Sequence, residues 1–189
     1  MTGSDGSGTT TPAAAERADR FSVLMSTLDW PMAVVTAATA AERAGCLVGF
    51  HAQSSIEPAR YVVWLSKANH TCRVALRATY LGVHLLDRGD RELAVNFGTR
   101  TGDDGDKFDD LPIDVGEGRV PLLRGCANRF VGRRVALLDE GGDHVCVVIE
   151  PRDVWSGPGF RPLRLGDVDD LEPGHPVEER PQPPTQRAG

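Results

Sequence analysis

No apolar run in this sequence approaches the roughly 18–20 residues that a membrane-spanning helix needs, so a helical span is excluded. Basic residues are not in excess either. The 21 lysines and arginines stand against 27 aspartates and glutamates, a formal net charge of −6, whereas a nucleic-acid-binding domain normally presents a basic face. Close cysteine pairs are missing. Cys46, Cys72, Cys126 and Cys146 are widely separated, which argues against a structural zinc site, and no metal ligands are assigned. Met1–Ala15 is rich in Gly, Ser, Thr and Ala and has no apolar segment of the secretory type. The expectation is a cytoplasmic protein with free thiols, each behaving as a small buried hydrophobe. Nucleotide and hydrolase signatures are lacking as well: no Gly-x-Gly-x-x-Gly after a strand-like run, no P-loop, no Gly-x-Ser-x-Gly, no His-Glu-x-x-His. The five histidines are isolated. If the chain catalyses a reaction, its reactive centre is expected to come from a cofactor.

What is present describes one globular domain with two unusual ends. The 189 residues fall within the roughly 100–200 expected of a single domain. Apolar residues make up 40% without glycine, and 21 glycines raise that to about half, the ordinary globular share of ~45–50%. Residues 166–189 hold six acids against two arginines, while the rest of the chain holds 21 acids and 19 bases. The acidity is therefore mostly C-terminal. Residues 1–15 lack the apolar area to offset ordering entropy and are predicted to be a disordered tail. Residues 16–165 are predicted to form the folded domain, and 166–189, with five prolines, an extended acidic tail.

Within the domain, strand-like runs mostly follow one another. Phe21, Leu24, Met25 and Leu28 share one face of a short helix, which Trp30-Pro31 ends. Met32–Thr36 and Gly45–Gly49 read as strands joined by the small-residue turn Ala37–Ala44, and Gln53–Pro58 as a polar loop. Tyr61–Leu65 is a central strand by propensity, Thr71–Arg77 a short helix, and Tyr80–Leu86 another strand. Asp90–Phe97 reads as a helix with Asp90 as N-cap, and the Gly/Asp-rich residues 99–119 as a long excursion. Arg133–Leu138 and His144–Ile149 form a hairpin around Asp139–Asp143, and a last short strand follows near Val154-Trp155. Trp30, Trp64 and Trp155 read as core. Six or seven strands with two or three short helices, and no βαβ alternation, predict a mainly β fold: an antiparallel barrel with decorating helices.

The order of several weak motifs carries more than any one of them. Met32-Ala33-Val34-Val35-Thr36 is followed by Gly45 and a loop ending Ser55-Ile56-Glu57-Pro58, then by Val62–Lys67 and Asn69–Thr71. Leu93-Ala94-x-x-Phe97, Asp106-Lys107-Phe108, Pro121-Leu122-Leu123-x-Gly125 and Gly142-Asp143-His144 come next. In that order and spacing, about residues 18–165 resemble the flavin reductase-like family with the FMN-binding split β-barrel fold. The resemblance implies an antiparallel split β-barrel of Greek-key type and a homodimer with FMN in a groove near the subunit interface. NADH or NADPH would be the hydride donor, and a monooxygenase component a possible recipient of reduced flavin. FAD is the other flavin compatible with it.

On that reading Gly49, Phe50, His51, Ala52, Gln53, Ser54 and Ser55 form a loop whose amides would face the flavin's polar edge. An ordinary strand connection is the alternative. Lys67, Asn69, His70 and Thr71 lie between a strand and a helix start, where amides and the helix dipole favour a phosphate; a simple helix cap is the alternative. Lys107-Phe108 flanks the flavin site in similar proteins, or anchors the excursion to the barrel. His144 is the candidate catalytic residue, facing the nicotinamide, where an imidazole can hydrogen-bond or move a proton near neutral pH; pairing with Asp143 is its structural alternative. The sequence departs from the family pattern at Gly49–Gln53, and His84 stands where an asparagine is usual. A non-enzymatic FMN-binding electron carrier, a deazaflavin protein or a split-barrel relative that no longer holds flavin are the competing readings.

Overall fold

The computed structural model describes residues 12–100, 105–172 and 174. After helix α1 (Pro12–Ser26) come strands β1 (Ala33–Ala38), β2 (Arg43–Val48), β3 (His51–Ser55) and β4 (Arg60–Ser66), then helix α2 (His70–Ala75) and strand β5 (Tyr80–Leu85). Helix α3 (Arg91–Thr99) precedes the short strands β6 (Ile113–Val115) and β7 (Pro121–Leu123), and the long hairpin β8 (Arg129–Leu138) and β9 (His144–Trp155) closes the sheet. Seven strands lie in the order β2-β1-β5-β8-β9-β4-β3, every neighbouring pair antiparallel. β2 also lies against β4, so the sheet curls on itself. The protein is a mainly antiparallel split barrel. Among the described residues no helix is long and apolar enough to cross a membrane.

β1 shows why the barrel needs its decorations. All six of its residues are buried, although alternate side chains of a strand point to opposite faces. Val35 and Ala37 enter the barrel core with Cys46, Val63, Leu65, Leu81, Val83, Val147 and Ile149. Val34 points the other way, into a second cluster with Met32, Leu86, Ala94, Phe97, Phe108, Leu123, Leu163 and Val168. α3 and the strap after β9 therefore cover the outer face of the β1 region. The strap is also tied electrostatically: Arg91 holds both oxygens of Asp170 at 2.7 Å, and Arg164 donates to the Asp29 carbonyl at 2.7 Å.

The β6–β7 hairpin is fastened to this sheet by buried polar groups. Thr36 Oγ1 donates to the Pro121 carbonyl at 2.7 Å. The Leu123 amide donates to His84 Nε2 at 3.0 Å, which leaves the proton of the neutral ring on Nδ1, where it reaches the Val34 carbonyl at 3.1 Å. His84 is fully buried. Both ring nitrogens are satisfied, so this departure from the family's asparagine is a structural clamp.

Several sequence expectations are corrected. Of the loop over residues 49–55, His51–Ser55 is strand β3, because the backbone of His51–Gln53 pairs with Tyr61–Val63 despite polar side chains, which an edge strand tolerates on its open face. Asp90 is the N-cap residue of α3 as expected, but its side chain makes no cap hydrogen bond to that helix; its carboxylate instead accepts from the Asp87 amide at 2.8 Å, in a reciprocal capping arrangement with Asp87. The excursion over 99–119 contains β6. Val154-Trp155 is not a separate strand but the end of β9, which runs through Pro151; β4 pairing ends at Ile149, and Pro151 faces Gly132 of β8 beside a register irregularity, the kind of place where a strand proline is tolerated. The N-terminal tail reading meets a helix from Pro12 onward, none of whose residues is buried, and residues 1–11 lie outside the described part. Asp167 and Asp170, in the stretch read as an extended tail, pair with Arg88 and Arg91. The rest of that stretch beyond residue 174 also lies outside the described residues. All four cysteines are free and buried, as expected.

The His84 clamp makes stability depend on pH. Burial pushes its pKa down to about 4 from the ordinary 6.5, so between those values the unfolded chain binds a proton that the folded chain does not. The contribution is complete above about pH 6.5 and is lost as pH falls, on the order of 3 kcal/mol by pH 4. Urea unfolding at about pH 7.5 and about pH 4.5 should show a larger acid loss for the native chain than for His84→Asn. Equal losses would contradict a neutral, clamped imidazole.

Candidate functional site

The start of α2 organises the site. Asn69 takes an extended backbone, and its side chain accepts the Thr71 amide at 2.9 Å. Asparagine caps a helix well in this way because it satisfies an otherwise orphaned N–H. The cap puts Asn69 on one side of the turn and His70 and Thr71 on the other. Two cavities lie on those two sides.

The larger, about 680 Å³, is lined by the β1–β2 turn region Ala38–Gly45, by His70 and Thr71, by Asp106, Lys107 and Phe108, and by Arg119 and Pro121. Lys107 is nearly buried and donates from Nζ to the carbonyls of Gly45 at 3.1 Å and Phe97 at 3.2 Å. Burial lowers its pKa. Phe108 is a core ring, edge-on to Phe97 at 5.3 Å, with the Arg43 guanidinium 5.2 Å from its centroid. Lys107-Phe108 thus anchors the excursion to the barrel and also borders the cavity.

The smaller cavity, about 320 Å³, is mostly aromatic and aliphatic: Trp30, Met32, Leu47, Gly49, Phe50, Trp64, Asn69, Asp143, His144 and Leu165 border it. His144 opens β9, and its Nδ1 lies 2.8 Å from Asp143 Oδ1. This contact holds the Asp143 carboxyl below the usual carboxylate range. With Nδ1 donating there, Nε2 is the free nitrogen of the ring among the described residues. Phe50 meets the imidazole edge-on, centroids 5.5 Å apart. Flat rings with one orienting nitrogen suit a planar heteroaromatic ligand.

Gly49, Phe50, Asn69 and His144 thus come together at one cavity, and His70, Thr71, Lys107 and Phe108 at the other. The remaining candidates border neither. Both His51 nitrogens are engaged, Nδ1 2.6 Å from the Tyr61 hydroxyl and Nε2 2.9 Å from the Pro31 carbonyl, and burial lowers the pKa of the ring. Ala52, Gln53 and Ser54 are exposed on edge strand β3 beside the half-buried Ser55. Lys67 reaches Asp139 at 2.9 Å across the β8–β9 turn. Trp30 and Trp64, read from sequence as core, are about 38% exposed and line the aromatic cavity. A signal for Trp64 was there: it alternates with Val63 and Leu65, both inward and buried. Nothing in the sequence pointed to Arg119.

The split barrel thus places an aromatic pocket and a polar cleft on the two sides of one capped helix start. The family model described as flavin reductase like domain matches residues 25–166, and the chain belongs to that family. Over 118 residues it is 34% identical to the FMN reductase (NADH) SmoA of Agrobacterium fabrum, a match covering 62% of this chain and 64% of that relative's length. The flavin reductase domain protein of Arthrobacter sp. FB24 superposes with a TM-score of 0.70 at 20% identity, covering 90% of this chain and 99% of that one. Nitrilotriacetate monooxygenase component B of Mycobacterium thermoresistibile gives 0.68 at 17% identity, with 79% and 82% covered. At these identities the two structures speak for the fold alone.

Gly45 fixes the back of the larger cavity. A Cβ there would lie 2.7 Å from Phe97 and 3.1 Å from Phe108, and buried rings yield poorly. Gly45→Ala should lower unfolding free energy by about 1–3 kcal/mol, read from urea denaturation at neutral pH; an unchanged midpoint would show that the two rings are not packed against this strand.

Proposed function

We propose that this chain is an NADH-dependent flavin reductase acting on FMN. The observation that carries the reading is the pairing of an aromatic pocket and a polar cleft across one capped helix start, with His144 in the pocket. Membership of the flavin reductase like family and the likeness to SmoA, named an FMN reductase (NADH), support it. The residues fit such a ligand: rings for a tricycle on one side, hydroxyl, imidazole and ammonium groups for a phosphate-bearing tail on the other. FAD and NADPH are the alternative flavin and donor.

A flavin bound here supplies a two-electron acceptor. Hydride transfer requires donor and acceptor within roughly 3–3.5 Å, so positioning supplies much of the rate. Phe50 and Trp64 would hold the flat ring system against their apolar faces, with Gly49 beside them. Asn69, His70 and Thr71 stand at the junction for the phosphate end. His144, oriented by Asp143, offers Nε2 to the nicotinamide carboxamide or as a proton relay. We place the active form as a homodimer. We also assign it the supply of reduced flavin to a monooxygenase, a role that the likeness to a protein named monooxygenase component B supports. Four unpaired thiols support a reducing compartment such as the cytoplasm.

Purified protein should oxidise NADH only when FMN is added. His144→Ala should lower kcat/KM for NADH at least about tenfold while the Kd for FMN, read by flavin fluorescence, changes little. Absence of flavin-dependent NADH oxidation by the native protein sinks the reading.

A further inference from the structure

Among the described residues the charges around the larger cavity do not balance. Bordering it among the described residues are three cationic side chains, Arg43, Lys107 and Arg119, together with the His70 imidazole. The two acids that border it are already committed, Asp106 to Arg43 at 2.7 Å and Glu42 to Arg77 and His70. Lys107 is only 6% exposed, yet its ammonium meets two carbonyls and, among the described residues, no carboxylate. An ammonium carries three donors, so one remains, together with a full charge in a poorly solvated place. A buried charge of this kind calls for an opposite one.

Arg119 completes the imbalance. It sits at the cavity rim with φ +64°, directly after Gly118 at φ +66°. Two successive left-handed residues are costly when the second has a side chain. The turn that imposes them is firmly built: Tyr80 lies under Gly118, where a Cβ would come within 2.6 Å of its ring, and the Gly116 amide donates to the Val120 carbonyl at 2.9 Å. The turn directs an exposed guanidinium to the cavity. Among the described residues Arg119 has no ion pair and no hydrogen-bonded acceptor.

We infer that Arg119, with the buried ammonium of Lys107 behind it, recognises the terminal phosphate of the flavin and makes the site selective for phosphorylated flavins over riboflavin. The inference rests on the flavin-reductase reading. A guanidinium forms paired, charge-assisted hydrogen bonds with phosphate oxygens, and His70 and Thr71 border the same cavity.

Equilibrium titration of FMN and riboflavin by flavin fluorescence, without any nicotinamide, tests it. The native protein should bind FMN at least about tenfold more tightly than riboflavin. Arg119→Gly should remove most of that preference by weakening FMN alone. The same variant relaxes the left-handed backbone, so its melting temperature should rise, a combination that a merely structural arginine would not give. Lys107→Met should weaken FMN more than riboflavin as well. An unchanged preference in Arg119→Gly, or equal weakening of both flavins, overturns the inference even if NADH oxidation proceeds normally. Loss of turnover in a native protein that still prefers FMN overturns the reductase reading and leaves this inference standing. Binding of neither flavin overturns both.

Discussion

The site depends on one neutral imidazole. His84 sits on a central strand of the barrel, gives its proton to the Val34 carbonyl and accepts the Leu123 amide. The second bond holds β7, and β7 follows directly on the turn that carries Arg119. With the Thr36–Pro121 contact beside it, this clamp fixes a whole wall of the larger cavity to the sheet. A charged imidazole could not accept from Leu123, so the wall and the neutral state stand or fall together.

Around that fixed wall the chain distributes polarity unevenly. Between β2 and β4 the surface is aromatic, and Asp143 and His144 are its main charged or titratable groups. Beyond the cap of α2 it turns cationic, with its acids neutralised within the protein. The proposed flavin, flat and apolar at one end and anionic at the other, matches both halves. The strap after β9 adds to this by bringing Leu165 to the aromatic pocket, held by the Asp29–Arg164 and Asp29–Gly166 contacts.

Much of the barrel was legible because its strands follow burial. Val34-Val35, Val62–Leu65 and the β8–β9 hairpin are apolar, β-branched and bounded by turn residues, and they fall where the sequence predicts. β3 was not legible: Ala52, Gln53 and Ser54 face solvent on an edge, so pairing with β4 is decided by backbone rather than side-chain pattern. Asp90 was legible in part. Its position as N-cap is legible, but its carboxylate turns back to the Asp87 amide in a reciprocal capping pair three residues earlier instead of bonding α3. Of the residues bordering the two cavities, Gly49, Phe50, Asn69–Thr71 and His144 are legible in the order of the motifs. Arg119 was hidden because its significance lies in a left-handed backbone angle and in the commitment of neighbouring acids, both tertiary facts.

The most direct measurement is a crystal structure of this protein with FMN bound. The account expects the tricycle against Phe50 and Trp64, within reach of His144, and the phosphate between Thr71 and Arg119. A tricycle lying along the open edge of β3, with the larger cavity empty of phosphate, would contradict it.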